Sequence, residues 1–186
     1  MSEIFLVTGN KNKLAEWQRL VPSNIDIESV DIDLTEIQSI DSEEIVADKA
    51  KRAFEAVGKP VVIEDVSAGL EKLGGLPGPF IKFFMNRMGS DVLMQLADDE
   101  GDKATVSCSV AYFDGTELFT VKGEVHGTVV RSRGDSRFGF DNNFMPDGQT
   151  KTYGEMTLDE KDLVSHRSRA IKLFIEALHE YNNKSI

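Results

Sequence analysis

Two adjacent carboxylates, Glu64 and Asp65, directly follow a short apolar run at 60–63. A run of this length and composition predicts a buried strand, and the carboxyl ends of sheet strands are where α/β proteins bind ligands. Two acidic groups there could hold Mg²⁺, which prefers oxygen ligands and a substrate phosphate. A third carboxylate, Glu36, lies in a separate polar loop. The alternative interpretation is that these carboxylates are simply solvated.

The segment 8–13, Thr-Gly-Asn-Lys-Asn-Lys, lies between a predicted strand and a predicted helix. Backbone N–H groups at the start of a helix attract anions, and a lysine there adds a full positive charge. The segment therefore suits a phosphate group. It contains one glycine, so it matches neither a Walker A loop nor a dinucleotide fingerprint, and an ordinary strand–helix turn with solvated lysines is the alternative.

Three more segments have compositions suited to a ligand. The loop 73–79 contains three glycines and two prolines, so its backbone can approach a ligand closely. Residues 138–141, Phe-Gly-Phe-Asp, offer an aromatic platform for a base with a carboxylate beside it. Residues 165–167, Ser-His-Arg, open the last predicted helix, where a serine cap and two cationic residues suit an anionic or carbonyl-bearing partner. The alternatives are a tight connection, core packing of the phenylalanines and an ordinary helix start.

Composition and charge limit the classes of partner. The chain has 186 residues, of which 32 are acidic and 21 basic, for a net charge of −11. Such acidity argues against nucleic-acid and membrane partners, both of which are anionic. We recognise no targeting leader and no run approaching the roughly 18 apolar residues of a membrane helix. The single cysteine, Cys108, allows no intrachain disulfide, which favours a cytoplasmic protein.

Alternating strand-like and helical segments predict an α/β fold with a mixed sheet. Helical and strand patterns alternate in the first half, and a long hairpin then turns at Asp114-Gly115. Asp41 with Glu44 three residues later predicts a capping box at the start of a helix that ends at Gly58. The length is that of one domain.

Taken in order, these segments resemble the inosine/xanthosine triphosphate pyrophosphatase family, enzymes that remove non-canonical purine nucleotides. The resemblance extends from Thr8 to the last helix, and its most specific parts are the Gly-Gly-x-Pro-Gly loop and the Ser-His-Arg motif. The matching motifs are Thr8-Gly9-Asn10-x-x-Lys13, Glu36 with Gln38, Glu44…Lys49, Glu64-Asp65, Leu73-Gly74-Gly75-Leu76-Pro77-Gly78-Pro79, Phe138-Gly139-Phe140-Asp141…Phe144-x-Pro146-Asp147-Gly148 and Ser165-His166-Arg167.

The resemblance implies an elongated mixed β-sheet flanked by helices, forming one domain over residues 1–186 with two lobes and a central cleft. It implies a homodimer. The implied activity is hydrolysis of ITP, dITP or XTP to the monophosphate and pyrophosphate, which would remove deaminated purines from the nucleotide pool. The implied cofactor is Mg²⁺, with Mn²⁺ as a substitute, and the partner is the small nucleoside triphosphate substrate.

The resemblance also assigns roles to individual positions. Asp65 would be the general base for the attacking water, and it would serve the metal together with Glu36 and, from the acidic pair, Glu64. Residues that would bind the triphosphate are Thr8, Asn10, Lys13 and Lys49, with Lys82 beside the phosphates. Residues that would bind the nucleoside are Phe138, stacked on the purine, Gly139, Phe140 and Asp141, which shape the pocket, and Lys161, Ser165, His166 and Arg167, which line the base end.

The sequence departs from the family's usual pattern at two places. Val66-Ser67 stands where a Ser or Thr usually follows the acidic pair, and Asn142-Asn143 stands where the aromatic motif usually continues with Asp-Pro. Two other functions remain open at this stage. One is a Maf-type nucleoside triphosphate pyrophosphatase of different base preference, and the other is a non-catalytic protein that senses modified purine nucleotides.

Overall fold

The computed structural model describes residues 2–136 and 139–184. Within these residues the chain forms seven β-strands and six α-helices. The strands are β1 (Ser2–Val7), β2 (Ile25–Val30), β3 (Val61–Leu70), β4 (Pro77–Gly78), β5 (Lys103–Phe113), β6 (Leu118–Val129) and β7 (Phe144–Pro146). The helices are α1 (Lys11–Leu20), α2 (Ser42–Val57), α3 (Ile81–Met88), α4 (Val92–Leu96), α5 (Leu158–Val164) and α6 (His166–Lys184). None of the helices described is long and apolar enough to cross a membrane.

The strands form one mixed sheet in the order β2-β1-β3-β5-β6-β7, with β4 paired to β3. Strand β1 runs parallel to β2 and to β3, with Leu6 opposite Val62. Strand β4 is antiparallel to β3, and β7 is antiparallel to β6. The predicted mixed α/β fold is therefore confirmed.

The chain divides into two compact units. The first comprises residues 2–65, 108–123 and 169–184, and the second comprises residues 66–107 and 124–168. In the first, the buried face of α2 packs on β3 through residues that include Val46, Ala50 and Ile63. The second has a separate apolar core that includes Phe144 and Tyr153. Each unit therefore buries its own hydrophobic surface.

Short-range signals in the sequence explain several element boundaries. The Asp41 carboxylate caps α2 by accepting from the Glu43 N–H at 2.9 Å, and Gly58 ends that helix with a φ of 69°. The predicted capping box is wrong, because the Glu44 carboxylate accepts from the Ser39 hydroxyl at 2.7 Å instead. The hairpin turn forms as predicted, since Asp114 accepts from the N–H groups two and three residues later.

From the sequence we expected the acidic pair at the end of a strand. The pair lies inside strand β3 instead. Strand β3 continues to Leu70 because its second half pairs with β4, with Ala68 opposite Gly78. The described pairing of β3 with β1 reaches only Val62. Glu64 and Asp65 therefore lie just beyond that parallel ladder, which keeps them close to the expected edge.

The glycine-rich loop folds back on β3. The backbone N–H of Leu70 donates to the carbonyl of Leu76, and the N–H of Gly75 donates to the carbonyl of Leu70. A Cβ placed on Gly69 would lie 1.8 Å from the carbonyl oxygen of Gly75. The close backbone approach expected of this loop thus occurs within the protein itself, and it requires glycine at position 69.

We predict that Gly69→Ala destabilises the protein by about 3 kcal/mol or more, because backbone atoms must move to admit the methyl group. The matched control is Gly58→Ala, where a Cβ would meet nothing within 4 Å and only the positive φ is unfavourable. That control should cost about 1 kcal/mol. Urea unfolding of both variants measures the difference, and equal costs would contradict the close approach.

Candidate active site

The turn between β1 and α1 is held by its own side chains. Asn10 caps α1, and its side-chain oxygen accepts from the backbone N–H of Asn12 at 3.0 Å and of Lys13 at 3.4 Å. The hydroxyl of Thr8 accepts from the Asn10 N–H at 3.1 Å. A Cβ on Gly9 would lie 2.6 Å from the Asp31 carboxylate. The polar motif is therefore a defined strand–helix turn with Lys13 in the first turn of the helix.

Lys13 pairs with the first carboxylate of the acidic pair. Its ammonium lies 3.1 Å from Oε1 of Glu64, whose side chain is 1% exposed. The indole N–H of Trp17 donates to the other oxygen of Glu64 at 2.7 Å. A buried carboxylate is costly unless it is paired and hydrogen-bonded, and α1 supplies both partners.

A second ion pair joins two more predicted residues of this unit, Lys49 and Glu36. The ammonium of Lys49 on α2 lies 2.6 Å from Oε2 of Glu36, and both side chains are partly exposed. The loop carrying Glu36 is thereby tied to α2. This arrangement keeps one lysine and one carboxylate together, as at Lys13 and Glu64.

The pKa of the Asp65 carboxyl is shifted far from its usual value. Burial raises its pKa to about 6, Lys13 and Lys49 act to lower that pKa, and Glu36 and Glu64 act to raise it. Its Oδ2 is buried and has no hydrogen-bond partner among the described residues. These interactions place five predicted residues within electrostatic reach of one another in the first unit.

This environment suits Asp65 for two kinds of chemistry. A carboxylate whose pKa lies close to neutrality is an effective general base for a water molecule. A buried carboxylate oxygen without a donor, near two other carboxylates, also suits a divalent cation. No group of three His, Cys, Asp or Glu side chains in the described part of the chain is close enough to hold a metal by itself. Mg²⁺ needs only one or two carboxylates when substrate phosphates and waters complete its shell, so the residues fit that ion.

A second buried ion pair lies in the other unit. The ammonium of Lys161 on α5 is 2.6 Å from Oδ2 of Asp141, with side chains 12% and 7% exposed. The hydroxyl of Ser136 donates to the same oxygen at 3.0 Å. Asn142 stabilises that loop, because its side chain donates to the Ser136 carbonyl and accepts from the Ser136 N–H. The residue that departs from the family's usual pattern therefore has a structural role here.

The start of α6 packs against aromatic rings in the same unit. Ser165 precedes the helix, and its hydroxyl oxygen accepts from the Ser168 N–H at 3.1 Å, as predicted for a cap. The His166 ring is almost fully buried, with ring centroids 6.1 Å from Phe140 and 5.8 Å from Tyr153. The Lys161 ammonium lies 5.4 Å from the Tyr153 ring centre. These contacts bring the second set of predicted residues together.

The remaining predicted residues are Lys82, Gly139, Phe138 and Arg167. Lys82 is exposed on α3 and has no ion pair with a described residue. Gly139 is exposed with a φ of 47° and lies near Met85. Phe138 lies outside the described residues. Arg167 follows His166 in the first turn of α6 and is partly exposed.

Sequence reasoning missed Trp17, Ser136 and Tyr153. Trp17 follows Lys13 by four residues and therefore lies on the same face of the helix. This spacing could have indicated its position beside the site. Nothing local in the sequence marks Ser136 or Tyr153, because their partners are set by tertiary packing. Ser67, the other departure from the family's pattern, is buried on β3 with a hydroxyl that has no hydrogen-bond partner among the described residues.

A cavity of about 280 Å³ in the second unit is lined by none of the predicted residues. It is bounded by Asp91, Met94, Gln95, Arg131, Ser132 and Asn143.

Comparison with known proteins gives concordant results. The model of the Ham1 family matches residues 4–177. Inosine triphosphate pyrophosphatase of Emericella nidulans is 40% identical over 174 residues, which cover 92% of this chain and 93% of that protein. The enzyme of the same name from Schizosaccharomyces pombe is 36% identical over 186 residues, which cover 98% of each.

Solved structures agree with this similarity. A HAM1 protein from Coxiella burnetii superposes with a TM-score of 0.82 at 25% identity, covering 97% of this chain and 100% of that one. A nucleoside-triphosphatase, or dITP/XTP pyrophosphatase, from Mycobacterium abscessus superposes with a TM-score of 0.72 at 26% identity, covering 92% and 98%.

We predict that Asp65→Asn stabilises the protein near neutral pH. A raised pKa in the folded state means that the folded protein prefers the protonated carboxyl, so this contribution to stability is full below about pH 4 and is lost as the pH rises through about 6. Relative to its effect at pH 4, the substitution should add about 2 kcal/mol to the free energy of unfolding at pH 7.5.

Urea unfolding between pH 4 and 8 in metal-free buffer measures this difference. The control is Asp48→Asn, because Asp48 lies on the outer part of α2, where it pairs with Arg52. The free energy of unfolding of this control should not rise in the same way between pH 4 and pH 7.5. A difference between wild type and Asp65→Asn that does not change with pH would contradict the perturbed pKa of Asp65.

Proposed function

The chain belongs to the Ham1 family, and we propose that it hydrolyses the non-canonical purine nucleoside triphosphates ITP, dITP and XTP to the monophosphate and pyrophosphate. The observation that carries the chemistry is Asp65, a half-buried carboxyl with a pKa of about 6 that lies in the field of Lys13 and Lys49. A general base and positive charge are the two elements that phosphoanhydride hydrolysis needs from a protein.

The reaction is attack of water on the α-phosphorus with departure of pyrophosphate. Asp65 accepts the proton of the attacking water, a contribution worth roughly 10²- to 10⁴-fold in rate. Lys13 and Lys49 neutralise charge on the phosphate oxygens, and the Thr8–Asn10 turn positions the start of α1 beside them. Together these residues orient the triphosphate and lower the cost of the charge that develops as pyrophosphate leaves.

The residues around Asp65 would also hold the metal. One or two of the carboxylates of Asp65, Glu36 and Glu64 would supply oxygen donors, and Mg²⁺, with Mn²⁺ as a substitute, is the ion that such donors favour. When bound, the ion would neutralise phosphate charge and act as a Lewis acid.

The second unit supplies the groups proposed to bind the base. Hypoxanthine and xanthine carry an oxo acceptor at C6, whereas adenine carries an amino donor. Donors at the start of α6, from His166, Arg167 and the first backbone N–H groups, would pair with the oxo group and be mispaired by adenine. The ion pair of Lys161 with Asp141 would form one wall of the proposed base-binding pocket. Phe138 would stack on the purine.

We also propose that the protein is a cytoplasmic homodimer. Four apolar side chains of the glycine-rich loop and α3 are 37–62% exposed, namely Leu73, Leu76, Phe83 and Phe84. Apolar residues grouped in this way are typical of protein interfaces, and a second copy of the chain is the proposed occupant. Light scattering measures the mass in solution. A dimer that Phe83→Ser converts to monomer is the expected result, and a monomeric wild type would contradict the proposal.

The activity is tested by pyrophosphate release from ITP, dITP, XTP, ATP and GTP, with and without Mg²⁺. We expect kcat/KM for ITP, dITP and XTP to exceed that for ATP by at least about 100-fold, because adenine leaves buried donors unpaired. Asp65→Asn should lower kcat by roughly 10²- to 10⁴-fold, and Asp48→Asn should not change it.

The same panel separates the other candidate functions. Preference for ATP or GTP over ITP, dITP and XTP would indicate a different base preference, as in a Maf-type enzyme. Tight binding of ITP in Mg²⁺ without release of pyrophosphate would indicate a non-catalytic sensor.

A further inference from the structure

Trp17 makes a hydrogen bond to Glu64 in addition to its apolar packing. It is the single tryptophan of the chain and is fully buried on α1, where its ring packs edge-on against Phe174 at 5.3 Å between centroids. A buried indole N–H needs an acceptor. Here the acceptor is Oε2 of Glu64 at 2.7 Å, a carboxylate whose other oxygen lies 3.1 Å from the Lys13 ammonium.

The helix explains why one carboxylate meets both groups. Lys13 and Trp17 are four residues apart and so lie one above the other on the same face of α1. The Glu64 side chain is 1% exposed, whereas that of Lys13 is 23% exposed. The indole therefore bonds the carboxylate in the interior, and the lysine meets it at the edge that solvent reaches.

We infer that Trp17 is a positioning residue for the proposed reaction. Its indole N–H fixes the Glu64 carboxylate and stabilises its negative charge, which in turn fixes the resting place of the Lys13 ammonium. A triphosphate competes with Glu64 for that ammonium. Because Trp17 retains the carboxylate in the interior, the ammonium can turn to the phosphates without Glu64 following it toward the anionic substrate.

This inference rests on the proposed function, which by itself gives Trp17 no role. Trp17→Phe removes the N–H donor and keeps an aromatic ring. We expect KM for ITP to rise about tenfold and kcat to change less than about twofold, since the lost interaction acts on binding of the triphosphate. Phe174→Leu is the matched control, because it alters packing on the same indole ring and leaves the N–H donor in place.

Fluorescence of the wild-type protein provides a test that requires no tryptophan variant. Since Trp17 is the single tryptophan, its emission reports the surroundings of one indole, whose N–H donates to the Glu64 carboxylate. Titration of the full chain with inorganic pyrophosphate should change that emission as Lys13 moves away from Glu64. In Glu64→Gln, which can still accept from the indole but lacks the charge that attracts Lys13, the change should be lost although pyrophosphate still binds by calorimetry.

Three results would overturn the inference. They are an unchanged KM in folded Trp17→Phe, an equal rise of KM in Phe174→Leu, and wild-type emission that does not respond to pyrophosphate that calorimetry shows to be bound. Should Trp17→Phe fail to fold, the fluorescence titration decides. Absence of pyrophosphate release from every triphosphate would instead contradict the proposed function, so the two failures are distinguishable.

Discussion

Two adjacent carboxylates on β3, Glu64 buried and Asp65 half-buried, impose the constraint on which the first unit depends. An ionised carboxyl inside a protein is unfavourable unless cations and donors surround it. Glu64 has both, since α1 brings Lys13 and Trp17 to its two oxygens. Asp65 has neither at Oδ2, and its pKa rises to about 6 mainly through burial. Neighbours in sequence thus differ in chemistry because successive residues of a strand point to opposite faces.

The second unit meets a similar constraint in a different way. Asp141 is almost fully buried, and both Lys161 and Ser136 donate to the same oxygen. At Asp65, by contrast, Oδ2 has no hydrogen-bond partner among the described residues. A paired carboxylate defines a wall, whereas an unpaired one is available to water or a cation. The contrast supports the proposed roles, in which Asp65 reacts and Asp141 shapes the nucleoside pocket.

The sequence predicts the class of fold and the composition of both groups well, but it predicts poorly what depends on packing between distant segments. Ser165 caps its helix as expected because capping involves only residues within three positions. The position of Glu64 and Asp65 inside β3 was missed, because the strand is extended by its pairing with β4, a nonlocal interaction. Tyr153 was missed for the same reason, whereas Ser136 bonds Asp141 and Asn142, five and six residues away, without a recognisable local motif. The Glu44 capping box failed because a nearby hydroxyl, that of Ser39, competes for the same carboxylate.

The pairing of lysines with carboxylates also bears on the proposed metal requirement. Both lysines proposed to bind the triphosphate are held by carboxylates, Lys13 by Glu64 and Lys49 by Glu36. A triphosphate that takes those ammonium groups leaves two carboxylates beside a third, Asp65, in a chain of net charge −11. A divalent cation relieves that repulsion, so binding of nucleotide and binding of metal should each strengthen the other to the same extent. Under the proposed function, the cation is therefore required by the charge balance of the lysine–carboxylate pairs as well as by the chemistry at phosphorus.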